Sequence, residues 1–155
     1  MTDSGSRGET EKERLNRKWN DLLQELRVMQ TGAQLTAGFL LTLPFTQRFE
    51  DLSDFQVRLY LTLVLLAAVT TALVVSAVAV HRGLSGENVK ERVVVAGHRL
   101  TIGVLTTICL LITGMVMLIF DVVIGRAEAL IWSGAVGLAA VLLVGVLPQV
   151  LRRAD

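Results

Sequence analysis

The chain of 155 residues has one cysteine, two prolines, two histidines and few aromatics. A single cysteine, Cys109, excludes an intramolecular disulfide. It also excludes a one-chain zinc site built from four cysteines, or from two cysteines and two histidines. Cys109 lies in the middle of an apolar run, where a thiol reads as a small packing hydrophobe. The two histidines, His81 and His98, have no third ligand at a metal-binding spacing, so no metal site is expected. There is no phosphate-binding glycine loop, no GxSxG, no HExxH, no EF-hand loop and no dinucleotide fingerprint. An enzyme is therefore not expected, and no cofactor is implied. The basic residues are interleaved with Asp and Glu, so nothing suggests nucleic acid as a partner. Residues 1–27 are polar and charged, unlike a cleavable signal peptide.

Charge is the most informative absence. Four stretches, Val28–Gln47, Leu59–Val80, Leu100–Phe120 and Ala129–Leu151, carry no charged residue, and they are 20, 22, 21 and 23 residues long. All 29 charges fall outside them, in a chain that is 52% hydrophobic. As a helix, each stretch is long enough to cross about 30 Å of hydrocarbon. The expected fold is an all-α integral membrane protein: a four-transmembrane-helix bundle with an N-terminal amphipathic cytoplasmic helix continuing towards the first span. The expected segments are a disordered 1–8, a cytoplasmic helix over 9–27, spans at about 28–47, 57–80, 98–125 and 128–151, and a cytoplasmic tail at 152–155. The first span is the most polar, with Gln30, Thr31, Gln34 and Thr36 within it and Pro44 near its end. A re-entrant or surface helix is the rival reading there.

The distribution of basic residues orients the spans. With both termini cytoplasmic, twelve of the fifteen Lys and Arg are inside and only Arg48, Arg58 and Arg126 are outside. The positive-inside rule favours this arrangement in a bacterial plasma membrane. Phe45, Phe49, Phe55, Tyr60, Phe120 and Trp132 then gather at the outer boundary, where aromatic side chains suit the interface. Inside, Leu15, Trp19, Leu22, Leu26 and Met29 recur at helical spacing and give residues 9–27 one apolar face. Either this helix continues into the first span, or it lies on the lipid surface. A second stripe, Val89, Val93, Ala96 and Leu100, follows the turn residues His81–Gly86. The two stripes pack on each other, Trp19, Leu22 and Leu26 against Val89 and Val93, or on a neighbouring subunit. The arginines beside His81 and His98 suit contacts with anionic headgroups.

Several polar residues qualify as a site. Asp121 adjoins the third span, and an acid there is a functional hypothesis by default. Pairing with Arg126, Arg48 or Arg58 is the structural alternative. Arg27, Gln30, Thr31, Gln34, Gly38 and Thr42 form a polar stripe along the first span. Such a stripe marks helix–helix contact or lines a narrow aqueous path ending near Asp121. Ala72 and Ser76, Gly103 and Gly114, and Gly137 place small residues on the other spans, where helix backbones can approach closely.

The segment Trp19-Asn20-Asp21-Leu22-Leu23-Gln24-Glu25-Leu26-Arg27-Val28-Met29-Gln30-Thr31-Gly32, followed by Gly38-Phe39-Leu40-Leu41-Thr42-Leu43-Pro44-Phe45, resembles a family of small four-span actinobacterial membrane proteins of uncharacterised function. The Phe49 region, His81-Arg82 and Phe120-Asp121-Val122-Val123 also fit it, so the resemblance covers most of residues 12–150. Some of these relatives carry an automatic label of sodium:proton antiporter, and the resemblance implies no catalytic residues. The function expected first is a self-associating structural or accessory subunit whose partners are the bilayer and further copies or another membrane protein. The alternative is an oligomeric cation or proton channel or an antiporter-like transporter. A lipid-binding role for the basic amphipathic helix is the third possibility.

Overall fold

A computed structural model describes residues 11–84, 90–147 and 149–150, without the side chains at 11–12, 15–16, 18–19, 78, 80–84, 90–96 and 98. The expected disordered start, the 152–155 tail and Val89 lie outside the described residues. So do the side chains of Trp19, Val93 and Ala96.

Every regular element among the described residues is helical. Helix α1 spans Glu11–Thr42, α2 Asp54–Leu84, α3 Lys90–Val123 and α4 Arg126–Val141. A π turn, Leu142–Val146, prolongs α4. The amphipathic segment and the first charge-free stretch are thus one helix of 32 residues. Its sequence contains no proline and no glycine before Gly32, so nothing breaks the hydrogen-bond ladder between the two parts. The α-helix stops at Thr42, short of the Gln47 limit of that stretch. Pro44 has no N–H to donate and disfavours helical geometry at the residue before it. Two 3-10 turns, Leu43–Phe45 and Gln47–Phe49, carry the chain across to α2.

Three segments are long and apolar enough to cross a membrane: Asp54–Ala77, Arg99–Val123 and Arg126–Val146. The part of α1 with the glutamines and threonines is not among them. The helices run in alternating directions. Helix α1 buries one face, with Leu26, Ala33 and Leu40 recurring every seven residues. Leu40 packs with Tyr60, Leu63 and Ala67 of α2 and with Leu111 and Leu118 of α3. Leu26 packs with Val74 and Ala77 of α2 and Val104 of α3. Helices α1, α2 and α3 therefore share a continuous core.

Among the described residues, helix α4 lies outside the core that α1, α2 and α3 share. It packs along α3 and makes no comparable contact with α1 among the described residues. Buried residues make up 28% and 22% of an 18-residue apolar stretch in α2 and α3 but only 11% of the one in α4. Ala129 and Ser133 are its buried residues, and Ser133 lies against Met117. One helical neighbour can cover only one side of a helix, so α4 leaves most of its apolar surface on the outside. Hydrocarbon is a suitable environment for that surface, since lipid tails are as apolar as leucine.

Candidate functional site

The polar groups with the most elaborate surroundings lie at the end of the helices where α2 and α4 begin. The N-terminus of α2 is closed by a capping box. Ser53 Oγ accepts from the Gln56 N–H at 3.4 Å, and Gln56 Oε1 accepts from the Ser53 N–H at 2.9 Å. That exchange fixes the Gln56 amide and leaves its Nε2 to donate to Asp121 Oδ2 at 2.9 Å. Asp121 stands one turn beyond the buried Leu118 on α3, and its side chain is 3% exposed.

A glycine brings the cation to it. The N–H groups of Ile124 and Gly125 both donate to the Phe120 carbonyl, ending α3. Gly125 then adopts φ 126°, ψ 172°, a conformation that side-chain-bearing residues rarely enter. The reversal starts α4 at Arg126, five residues after Asp121. Arg126 Nε donates to Oδ1 at 2.5 Å and its NH2 donates to Oδ2 at 3.1 Å. The guanidinium also stacks 3.7 Å over the Phe55 ring. The side chain of Arg126 is 46% exposed. Among the three arginines considered for Asp121, the structure selects Arg126. The carboxylate receives three hydrogen bonds and ties α2, α3 and α4 together. The sequence singled out neither Gln56 nor the contact of Phe55 with Arg126, although Ser-x-x-Gln ahead of an apolar run is a recognisable capping signal.

The α1 stripe lies elsewhere. Leu40 shares one core cluster with Leu111 and Leu118 of α3, and Gln34 precedes Leu40 by six residues whereas Asp121 follows Leu118 by three, so the two lie towards opposite ends of that cluster. The stripe does face outward: Arg27, Thr31, Gln34, Gly38 and Thr42 are exposed, and Gln30 is half-buried. Its hydroxyls are already satisfied. Thr31 donates to the Arg27 carbonyl at 3.0 Å and Thr42 to that of Phe39 at 2.8 Å. Thr62, Thr70, Thr71, Ser76, Thr106 and Thr113 bond back within their own helices in the same way. The amides of Gln30 and Gln34 have no hydrogen-bond partner among the described residues.

The small residues divide. A Cβ built on Gly114 would come within 2.5 Å of Leu63, one on Gly103 within 3.5 Å of Leu73, and one on Gly137 within 3.3 Å of Thr113. These three glycines sit in the α2–α3 and α3–α4 seams. A Cβ on Gly38 would meet nothing within 4 Å, and Ala72 and Ser76 are exposed, so these three serve no close helix contact among the described residues. In the α1 extension, Leu22 and Leu26 pack with Val74, Ala77, Leu100 and Val104, using α2 as well as α3. Among the described residues no three His, Cys, Asp or Glu side chains gather as metal ligands would.

No curated protein and no solved structure matches the chain significantly. Residues 8–148 match DUF6328, a family of unknown function. The chain belongs to that family.

Proposed function

We propose that the protein crosses the bacterial plasma membrane four times, with both termini inside, and acts as a self-associating structural or accessory subunit. One observation carries this reading: the register of α1 against α2. Leu26 and Leu40 pack on residues between Tyr60 and Ala77, all within the apolar segment Asp54–Ala77. Wherever α2 crosses the bilayer, the uncharged part of α1 lies at the same depth. Val28–Thr42 spans about 22 Å as an α-helix, and the turn Leu43–Phe45 adds about 6 Å, close to the roughly 30 Å of hydrocarbon.

At that depth the back of α1 cannot be covered by lipid alone without cost. An amide moved from water into a hydrocarbon with no partner costs about 4–8 kcal/mol. Gln34 lies about 10 Å along the helix from Arg27, beyond easy reach of the headgroup water. Another protein surface removes the cost. Self-association supplies one without invoking any further component.

Native mass spectrometry from several mild detergents tests the proposal. An oligomer of this chain is the expected species, and monomers throughout would contradict it. Purified protein in liposomes is expected to pass neither protons nor cations, because Asp121 is held by Arg126 and Gln56 rather than facing the Gln34 side of α1.

A further inference from the structure

We infer that the Gln34 face of α1, with the groove beside it, is the docking surface for a second copy of this chain, the two α1 helices lying parallel. The inference rests on the four-span, self-associating reading and specifies its interface. Two independent features meet on this face. One is the unpartnered Gln34 amide. The other is an open groove of about 160 Å3 between α1 and α2, lined by Ala37, Leu41, Val64, Ala68 and Thr71 among others. Gln34, Ala37 and Leu41 stand at i, i+3 and i+7, so amide and groove occupy one side of the helix. Thr71 donates to the Ala67 carbonyl at 3.0 Å, which leaves the groove without a free donor. It takes hydrocarbon, while Gln34, one to two turns away, requires a hydrogen-bonding group.

That combination selects the occupant. A lipid acyl chain fills the groove but offers Gln34 neither donor nor acceptor. A second copy satisfies both. Copies inserted with the same topology carry Gln34 at the same depth. A primary amide is donor and acceptor at once, so two of them pair reciprocally about a two-fold axis along the membrane normal. Leu41 of each copy arrives at the level of the other's groove. Between the two contacts lies Gly38, where nothing approaches within 4 Å, so the backbones can close on each other. From Gly134 onward the exposed residues of α4, among them Leu138 and Val141, are apolar and make no such demand.

The test uses the full chain with Cys109→Ala, in membranes and in mild detergent. Gly38→Cys should form a disulfide between copies on mild oxidation in the membrane. Gly134→Cys, equally open but on α4, should not. Gln34→Leu should weaken the dimer by on the order of tenfold, the range of a cross-helix hydrogen bond. Gly38→Leu should abolish the dimer while leaving the melting temperature of the monomer unchanged. Cross-linking at Gly134 with none at Gly38, in a dimer indifferent to Gln34→Leu, would reject this face and leave self-association standing. Monomers in every condition, with no cross-link in membranes, would remove both. Proton flux through the wild-type oligomer, lost in Gln34→Leu, would put the amide on a water path and overturn the dry seam.

Discussion

Polar side chains in apolar helices meet three fates here, and side-chain length decides among them. Threonine and serine hydroxyls are short enough to reach a carbonyl three or four residues back, so they are silenced within their own helix. Asp121 cannot do this and draws on Gln56 and Arg126 instead. Gln34 has neither solution. Removing Arg126 leaves a carboxylate that is 3% exposed with Gln56 as its one remaining side-chain donor. Arg126→Ala should therefore lower the melting temperature in detergent by on the order of 5 °C, more than Asp121→Asn does. The double variant should be no worse than Arg126→Ala alone, because the buried charge is then gone. Strict additivity of the two losses, measured by thermal unfolding, would count against the pair as described. Residue type alone could not reveal this pairing. The choice among three arginines depended on the turn at Gly125, and Gly125 reads in sequence as any other glycine.

At the scale of elements, α1 joins a charged and an uncharged part in one helix of 32 residues. Its uncharged part runs beside the apolar segment of α2, and its charged part packs through Leu22 and Leu26 on Val74 and Ala77 of α2 and on Leu100 and Val104 of α3. Leu26 sits at the junction, 1% exposed, in a core with Val74, Ala77 and Val104. Leu26→Ala should cost about 2–5 kcal/mol of stability, as large-to-small changes in packed cores do. Val28→Ala, two residues on but 71% exposed, should change stability by less than about 0.5 kcal/mol. Equal effects of the two in a denaturation series would contradict the packing of this extension and favour a helix lying on the lipid surface.

Much at this scale was legible beforehand. The charge-free stretches located α2, α3 and α4, and the spacing of Leu22, Leu26 and Met29 marked the buried side of α1. The partners of that side were not legible. Leu26 turned out to need α2 as well as α3, and a stripe on one helix carries no address for the helix that covers it. Likewise Gly38 and Gly114 look alike in sequence. One faces open space and the other Leu63.

At the scale of the molecule, the described residues form a three-helix core with a fourth helix packed along α3. Helix α4 is held by its seam with α3 and, at one end, by Arg126 on Asp121 and Phe55. The remaining faces divide by chemistry: α4 presents mostly apolar side chains, and α1 presents an amide. Membership of a family of unknown function assigns no activity to this arrangement. The proposed four-span topology turns on α1 crossing the bilayer. Single cysteines at Ser4, Ser53, Ser85 and Glu128, in a Cys109→Ala background, measure that directly with a membrane-impermeant thiol reagent in intact cells. Labelling at Ser53 and Glu128, with Ser4 and Ser85 protected until the cells are opened, is the predicted result. Ser4 and Ser53 on the same side of the membrane would contradict it.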